Sequence, residues 1–245
     1  MTSWTWPDLE AAPQAFYSQS LAPTQALWSA WRISGSVGSG RPAGPRNWQW
    51  SAAIVLAVAA LEAGLEELLL AGHARRAGTE GDPIPRRERE HLVESVLQAP
   101  NSGKIERALF SAFGIRIGAV ALSATSSFTA RRKELAHAGS GRGSVAASPT
   151  TWRDLAAWLD AVVFIRHAIA HGDIAKHSSY PQSAEGLLWV RLRNGGWSVQ
   201  QPHALTALRT VVATYNATAV ALEGAFGSPR TAKLRLADDL FKYTP

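Results

Sequence analysis

Cysteine is absent from this chain. That excludes disulfide staples, a thiolate nucleophile and any zinc site built on sulfur, and it is compatible with a reducing cytosol. Lysine is scarce as well, since 20 of the 25 basic residues are Arg. Charged residues make up only 18% of the chain against 46% hydrophobic, which argues for a packed core and against global disorder. No apolar run suits a membrane. The most hydrophobic window, 52–71, contains Glu62, Glu66 and Glu67, so it reads as a buried helix of a soluble protein. The opening MTSWTWPDLE has no basic segment followed by an apolar one, so no export signal is read there and the expected location is cytoplasmic. Several catalytic signatures are missing too. There is no G-x-S-x-G elbow, and GSVGSGR in the loop 34–46 lacks the spacing and terminal Lys-Ser/Thr of a phosphate-binding P-loop.

What is present is a 245-residue chain of net charge +6 that reads as mainly helical. An Arg-rich surface favours phosphate-bearing partners, because guanidinium grips phosphate with paired hydrogen bonds. General Ala- and Arg-rich residue usage would give the same bias, so charge alone does not establish nucleic-acid binding.

The stretch 150–173, TTWRDLAAWLDAVVFIRHAIAHGD, organises the rest. Thr151 is placed to cap a helix, with Asp154 three residues on and Gly172 as its left-handed stop. Trp152, Leu155, Leu159, Val162 and Ile169 keep a three–four spacing, and Arg166 falls on the same stripe. An apolar helix thus carries Arg166, His167 and His171 into its last two turns.

Arg166, a polar residue, three spacers and then His171-Gly172 resemble the R-x4-H signature of the HEPN superfamily, and RHAIAHG resembles the RN-x-IAHG form of several subgroups. Many HEPN proteins are metal-independent endoribonucleases acting as toxins or in antiviral defence. The resemblance implies an HEPN-like helical bundle, with Arg166 and His171 as catalytic residues and His167 as the supporting polar position. It implies no cofactor and no metal, RNA as substrate, and a homodimer in which two motif helices meet across a two-fold axis. No nucleotidyltransferase motif of the kind that partners some HEPN toxins is present, so an antitoxin or regulatory protein would be a separate polypeptide. The alternative within the family is an inactive module that binds RNA, a nucleotide or a protein.

The residue types suit the chemistry. RNA is cut without metal when its own 2′-OH attacks the adjacent phosphate, which requires proton transfers and stabilisation of charge on phosphorus. Imidazole suits the first and guanidinium the second. Five residues of helix rotate by about 500°, so Arg166 and His171 diverge by roughly 140° on one helix. A distorted helix end or a second copy of the helix would bring them to one phosphate. Other readings remain open at this stage. Arg166 could pair with Glu62 or Glu66, and His171 could cap the negative end of the helix dipole. His167 and His171, four residues apart, are half of a zinc site, but Ala168 stands where HExxH has its Glu. His73, His91, His137, His177 and His203 show no distinctive spacing for a third ligand.

The remaining chain divides into an aromatic-rich arm and loop, 1–46, a helical domain, 47–226, and a tail, 227–245. In the arm, two short helical patterns, 9–20 and 25–32, are broken at Pro23, and Trp4, Trp6, Trp28 and Trp31 are expected to pack over the core or a partner subunit. Helices are expected over 47–75, 86–98, 104–113, 129–137 and from Pro202 to about Phe226. The last shows a stripe of Leu205, Leu208, Val212, Tyr215, Ala219, Leu222 and Phe226. A β-hairpin is expected over 187–200 around Asn194-Gly195-Gly196. Arg131, Arg132 and Lys133, and the hairpin face of Trp189, Arg191 and Arg193, are the weaker candidates for holding RNA.

Overall fold

The computed structural model describes residues 5–27, 47–85, 87, 90, 100–119, 151–171, 188–191, 193 and 197–226. The expected helix at 129–137, the Gly172 stop, the loops 34–46 and 139–148, the tail and most of 86–98 lie outside them. The architecture is mainly α. Helix α1 (Ala12–Ala15) runs into a π turn (Phe16–Ser20), followed by helical residues 22–27. Then come α2 (Asn47–Ala77), α3 (Ser102–Phe113), a 3-10 turn (Ile117–Ala119), α4 (Trp152–Ala170), the strands β1 (Val190–Arg191) and β2 (Trp197–Ser198), and α5 (Gln201–Phe226). Helices α2, α4 and α5 pack on one another. Among the described residues no helix is long and apolar enough to cross a membrane.

Helix α2 follows its sequence pattern. Trp50, Ile54, Val58, Leu61, Leu65 and Leu68 are all buried along one seam. Helix α3 starts where Asn101 caps it, its side chain accepting from Lys104 N at 2.9 Å. Gly114, at φ 71°, ends it in the left-handed conformation. Asp160 of α4 accepts from the backbone N and the hydroxyl of Ser102, both at 2.8 Å, and Trp152 Nε1 donates to Glu106 Oε1 at 2.6 Å. These bonds tie α3 to α4.

Helix α5 departs from the stripe expected of it. Nearly every residue from His203 to Glu223 is buried, so the helix is enclosed rather than amphipathic. Three of its buried threonine hydroxyls are satisfied within the helix. Thr210, Thr214 and Thr218 each donate to the carbonyl four residues earlier, at 2.8–2.9 Å. A threonine every fourth position therefore behaves as a core surface.

Residues 5–27 of the N-terminal arm are built into the same core, and Trp4, Trp28 and Trp31 lie outside the described residues. Leu9, Ala12, Phe16 and Leu21 join α2, α4 and α5, and the Phe16 ring stacks on Tyr215 with centroids 3.8 Å apart. Trp6 packs separately with Leu70, Ala74 and Ile84. Arg75 fixes this end, its Nε donating to both oxygens of Glu80 at 2.8 Å while Leu9 N donates to Glu80 Oε1. The helical break falls at Leu21 and not at Pro23. Proline is tolerated in a first helical turn, where its missing N–H has no intrahelical role, and Pro23 occupies that position.

His203 lies at the third position of α5, and its Nδ1 accepts from Gln200 N at 2.9 Å, as Glu or Gln does in a capping box. Burial pushes its imidazole down to about 4 from an ordinary 6.5. The unfolded chain therefore binds a proton in a range where the folded chain does not. This contribution to stability is full above about pH 6.5 and is lost as pH falls towards 4, on the order of 3 kcal/mol in the limit. The carboxyl of Glu67, raised by burial and then by Glu66, acts in the opposite sense, so variants are the informative comparison. His203→Gln keeps an acceptor without that titration, and its melting temperature should fall less than the wild type's between about pH 7 and pH 4.5. Parallel melting curves for the two proteins would contradict this role.

Candidate functional site

The motif occupies the last turns of α4, and its side chains divide between two environments. The buried line of α4 runs through Trp152, Leu155, Leu159, Val162, Ile165 and Ala168. Ile165, fully buried, takes the position the sequence pattern assigns to Arg166, and Arg166 lies on the edge of the line. The choice is physical: both residues sit within about 60° of Val162 on the helix, and the apolar one takes the drier side.

Arg166 faces α2. Its Nη2 lies 3.6 Å from Glu62 Oε1, with both side chains about a quarter exposed, 25% and 23%. Glu62 is one of the two carboxylates that the sequence offers as its partner. At that distance the contact is a long ion pair rather than a good hydrogen bond, contributing about 1 kcal/mol or less. The buried Arg166 Nε has no hydrogen-bond acceptor among the described residues. The guanidinium is thus held by its neighbour but not saturated by it.

His167 and His171 are exposed on the other side of the helix end. Their rings lie 4.2 Å apart, tilted by 46°, and His171 N donates to His167 O at 3.0 Å in the last α turn. The helix therefore brings the two histidines together, while Arg166 contacts Glu62 of α2. A comparison with known protein families, curated proteins and solved structures finds no match. The case for chemistry rests on these side chains.

Among the described residues no three His, Cys, Asp or Glu side chains gather as a metal cage.

The weaker candidates separate as well. The hairpin forms, shorter than its pattern, with Val190 opposite Ser198 and Arg191 opposite Trp197. Trp189 is 2% exposed and belongs to the core, so its ring offers no stacking platform for RNA; an indole beside Leu188 gains more from burial than from water. Arg191 and Arg193 are exposed. Arg131, Arg132 and Lys133 lie outside the described residues. Sequence reasoning missed Asn216, buried on α5, which accepts from Tyr17 Oη at 2.9 Å, and the threonine series beside it. Their signal was the four-residue spacing of Thr206, Thr210, Thr214 and Thr218.

Proposed function

We propose that this protein is a metal-independent HEPN-type endoribonuclease, with Arg166 and His171 as its catalytic pair and His167 supporting them. The observation that carries the reading is the motif RHAIAHG at the exposed end of a core-packed helix, with two accessible imidazoles and an unsaturated guanidinium. His171 takes the proton of the attacking 2′-OH, and Arg166 stabilises the charge that develops on the phosphate oxygens. The 2′-oxygen forms a bond to phosphorus, the bond to the 5′-oxygen breaks as that oxygen takes up a proton, and a 2′,3′-cyclic phosphate and a 5′-hydroxyl remain. Since one helix points Arg166 and His171 apart, the working unit is a homodimer in which two motif helices share a cleft. A toxin or antiviral-defence effector, restrained by a separate protein, is the biological role this chemistry serves.

The Arg166–Glu62 pair favours a second reading, an inactive module of the same family that binds RNA, a nucleotide or a protein partner. Incubating the purified protein with RNA in EDTA separates the two. Cleavage that persists in chelator supports the nuclease, binding without cleavage supports the module, and cleavage restored only by added metal removes the mechanism.

Exposed Arg191 and Arg193 are proposed to contribute phosphate contacts to either form. Replacing both by Ala should weaken RNA binding and flatten the log–log salt dependence by up to about 1.4. An unchanged slope would remove the hairpin from the contact surface.

A further inference from the structure

We infer that His167 and His171 together form a binding site for a divalent transition-metal ion, and that an ion held there silences the site rather than serving it. Residues four apart share a helix face, and here both imidazoles are exposed and already adjacent, with ring centroids 4.2 Å apart. Tetrahedral zinc about 2.0–2.1 Å from each nitrogen sets the two nitrogens roughly 3.3 Å apart, a spacing that two rings this close reach by side-chain rotation. The location adds a second argument. The pair sits at the C-terminal end of α4, the negative end of the helix dipole, which favours a cation.

The donor set selects the ion. Two imidazoles suit Zn2+, Ni2+ and Cu2+, whereas Mg2+ and Ca2+ require oxygen ligands. Among the described residues no third His, Cys, Asp or Glu joins the pair, and an ion held by two imidazoles alone keeps positions open to water and exchanges. Such a site is regulatory in character and not structural. Its effect on activity rests on the nuclease reading: the imidazole lone pair that would accept the 2′-OH proton is the one that would bind the metal. Exposed ligands make the block reversible by chelator.

Calorimetric titration of the EDTA-stripped, dialysed full chain with Zn2+, Ni2+ and Mg2+ tests the site without reference to activity. The wild type should bind one equivalent of Zn2+ or Ni2+ that is missing from both His167→Ala and His171→Ala, and should show no comparable heat with Mg2+. Unchanged stoichiometry in the two variants would overturn the site. The regulatory half is read as a ratio within each protein, RNA cleavage with saturating Zn2+ over cleavage in EDTA. That ratio should fall at least about tenfold in the wild type and stay near one in His167→Ala. Equal inhibition of the two would overturn regulation through this pair. Metal binding lost on substitution in a protein that cuts no RNA would leave the metal site standing and remove the nuclease reading.

Discussion

His171→Ala and Arg166→Ala should each reduce RNA cleavage by about 10²- to 10⁴-fold, the range carried by one proton-transfer group or one charge-stabilising donor. The two losses have different structural consequences. His171 is exposed, so its removal should leave the melting temperature where it was. Arg166→Ala strips Glu62 of its partner and should lower stability by about 1 kcal/mol or less, since the pair is long and partly solvated. Arg166→Lys separates catalysis from packing. A lysine keeps a charge near Glu62 but loses the planar fork that matches phosphate, so the fold should hold while cleavage stays low. Full activity in Arg166→Lys would mean that Arg166 serves only as the partner of Glu62. His167→Ala should be milder than either, because its proposed role is orientation.

Gly64→Ala should produce the largest loss of stability of any single methyl addition in α2. Gly64 lies against the stacked rings of Phe16 and Tyr215. A Cβ there would collide with Phe16 Cδ2 and stand 3.1 Å from Tyr215 Cε2. Neither ring has room to retreat, because both residues are fully buried. In a solvated helix the change to Ala would be favourable by about 1 kcal/mol, but overpacking a closed core costs about 1–3 kcal/mol. A chain of this length loses roughly 2–4 °C per kcal/mol, so the net change should be a fall of several degrees. A raised melting temperature would show that the arm carrying Phe16 is not packed on α2 in solution.

Much of this architecture was legible in the sequence because periodicity reports burial directly. The seam of α2, the body of α3 and the hairpin before the last helix follow from spacing and turn chemistry, although α3 begins two residues before the expected 104. Failures cluster where a polar residue hides its polarity. Thr210, Thr214 and Thr218 bond their own backbone, so α5 reads as half-polar yet is enclosed on every side. Trp189 follows an outward-facing pattern but is buried, since a two-residue strand pair is too short to impose alternation on its neighbours. For the site, sequence located the motif at the end of its helix and named Glu62 among two possible partners. It could not choose between them, because the choice depends on how α2 and α4 are rotated against each other.

The ends of the cut RNA test the central claim most directly. End-labelled RNA treated with purified protein in EDTA should carry 2′,3′-cyclic phosphate and 5′-hydroxyl termini, and His171→Ala should leave the RNA intact. Products ending in 3′-hydroxyl and 5′-phosphate, or cleavage equal in the wild type and His171→Ala, would contradict attack by the 2′-OH at this pair.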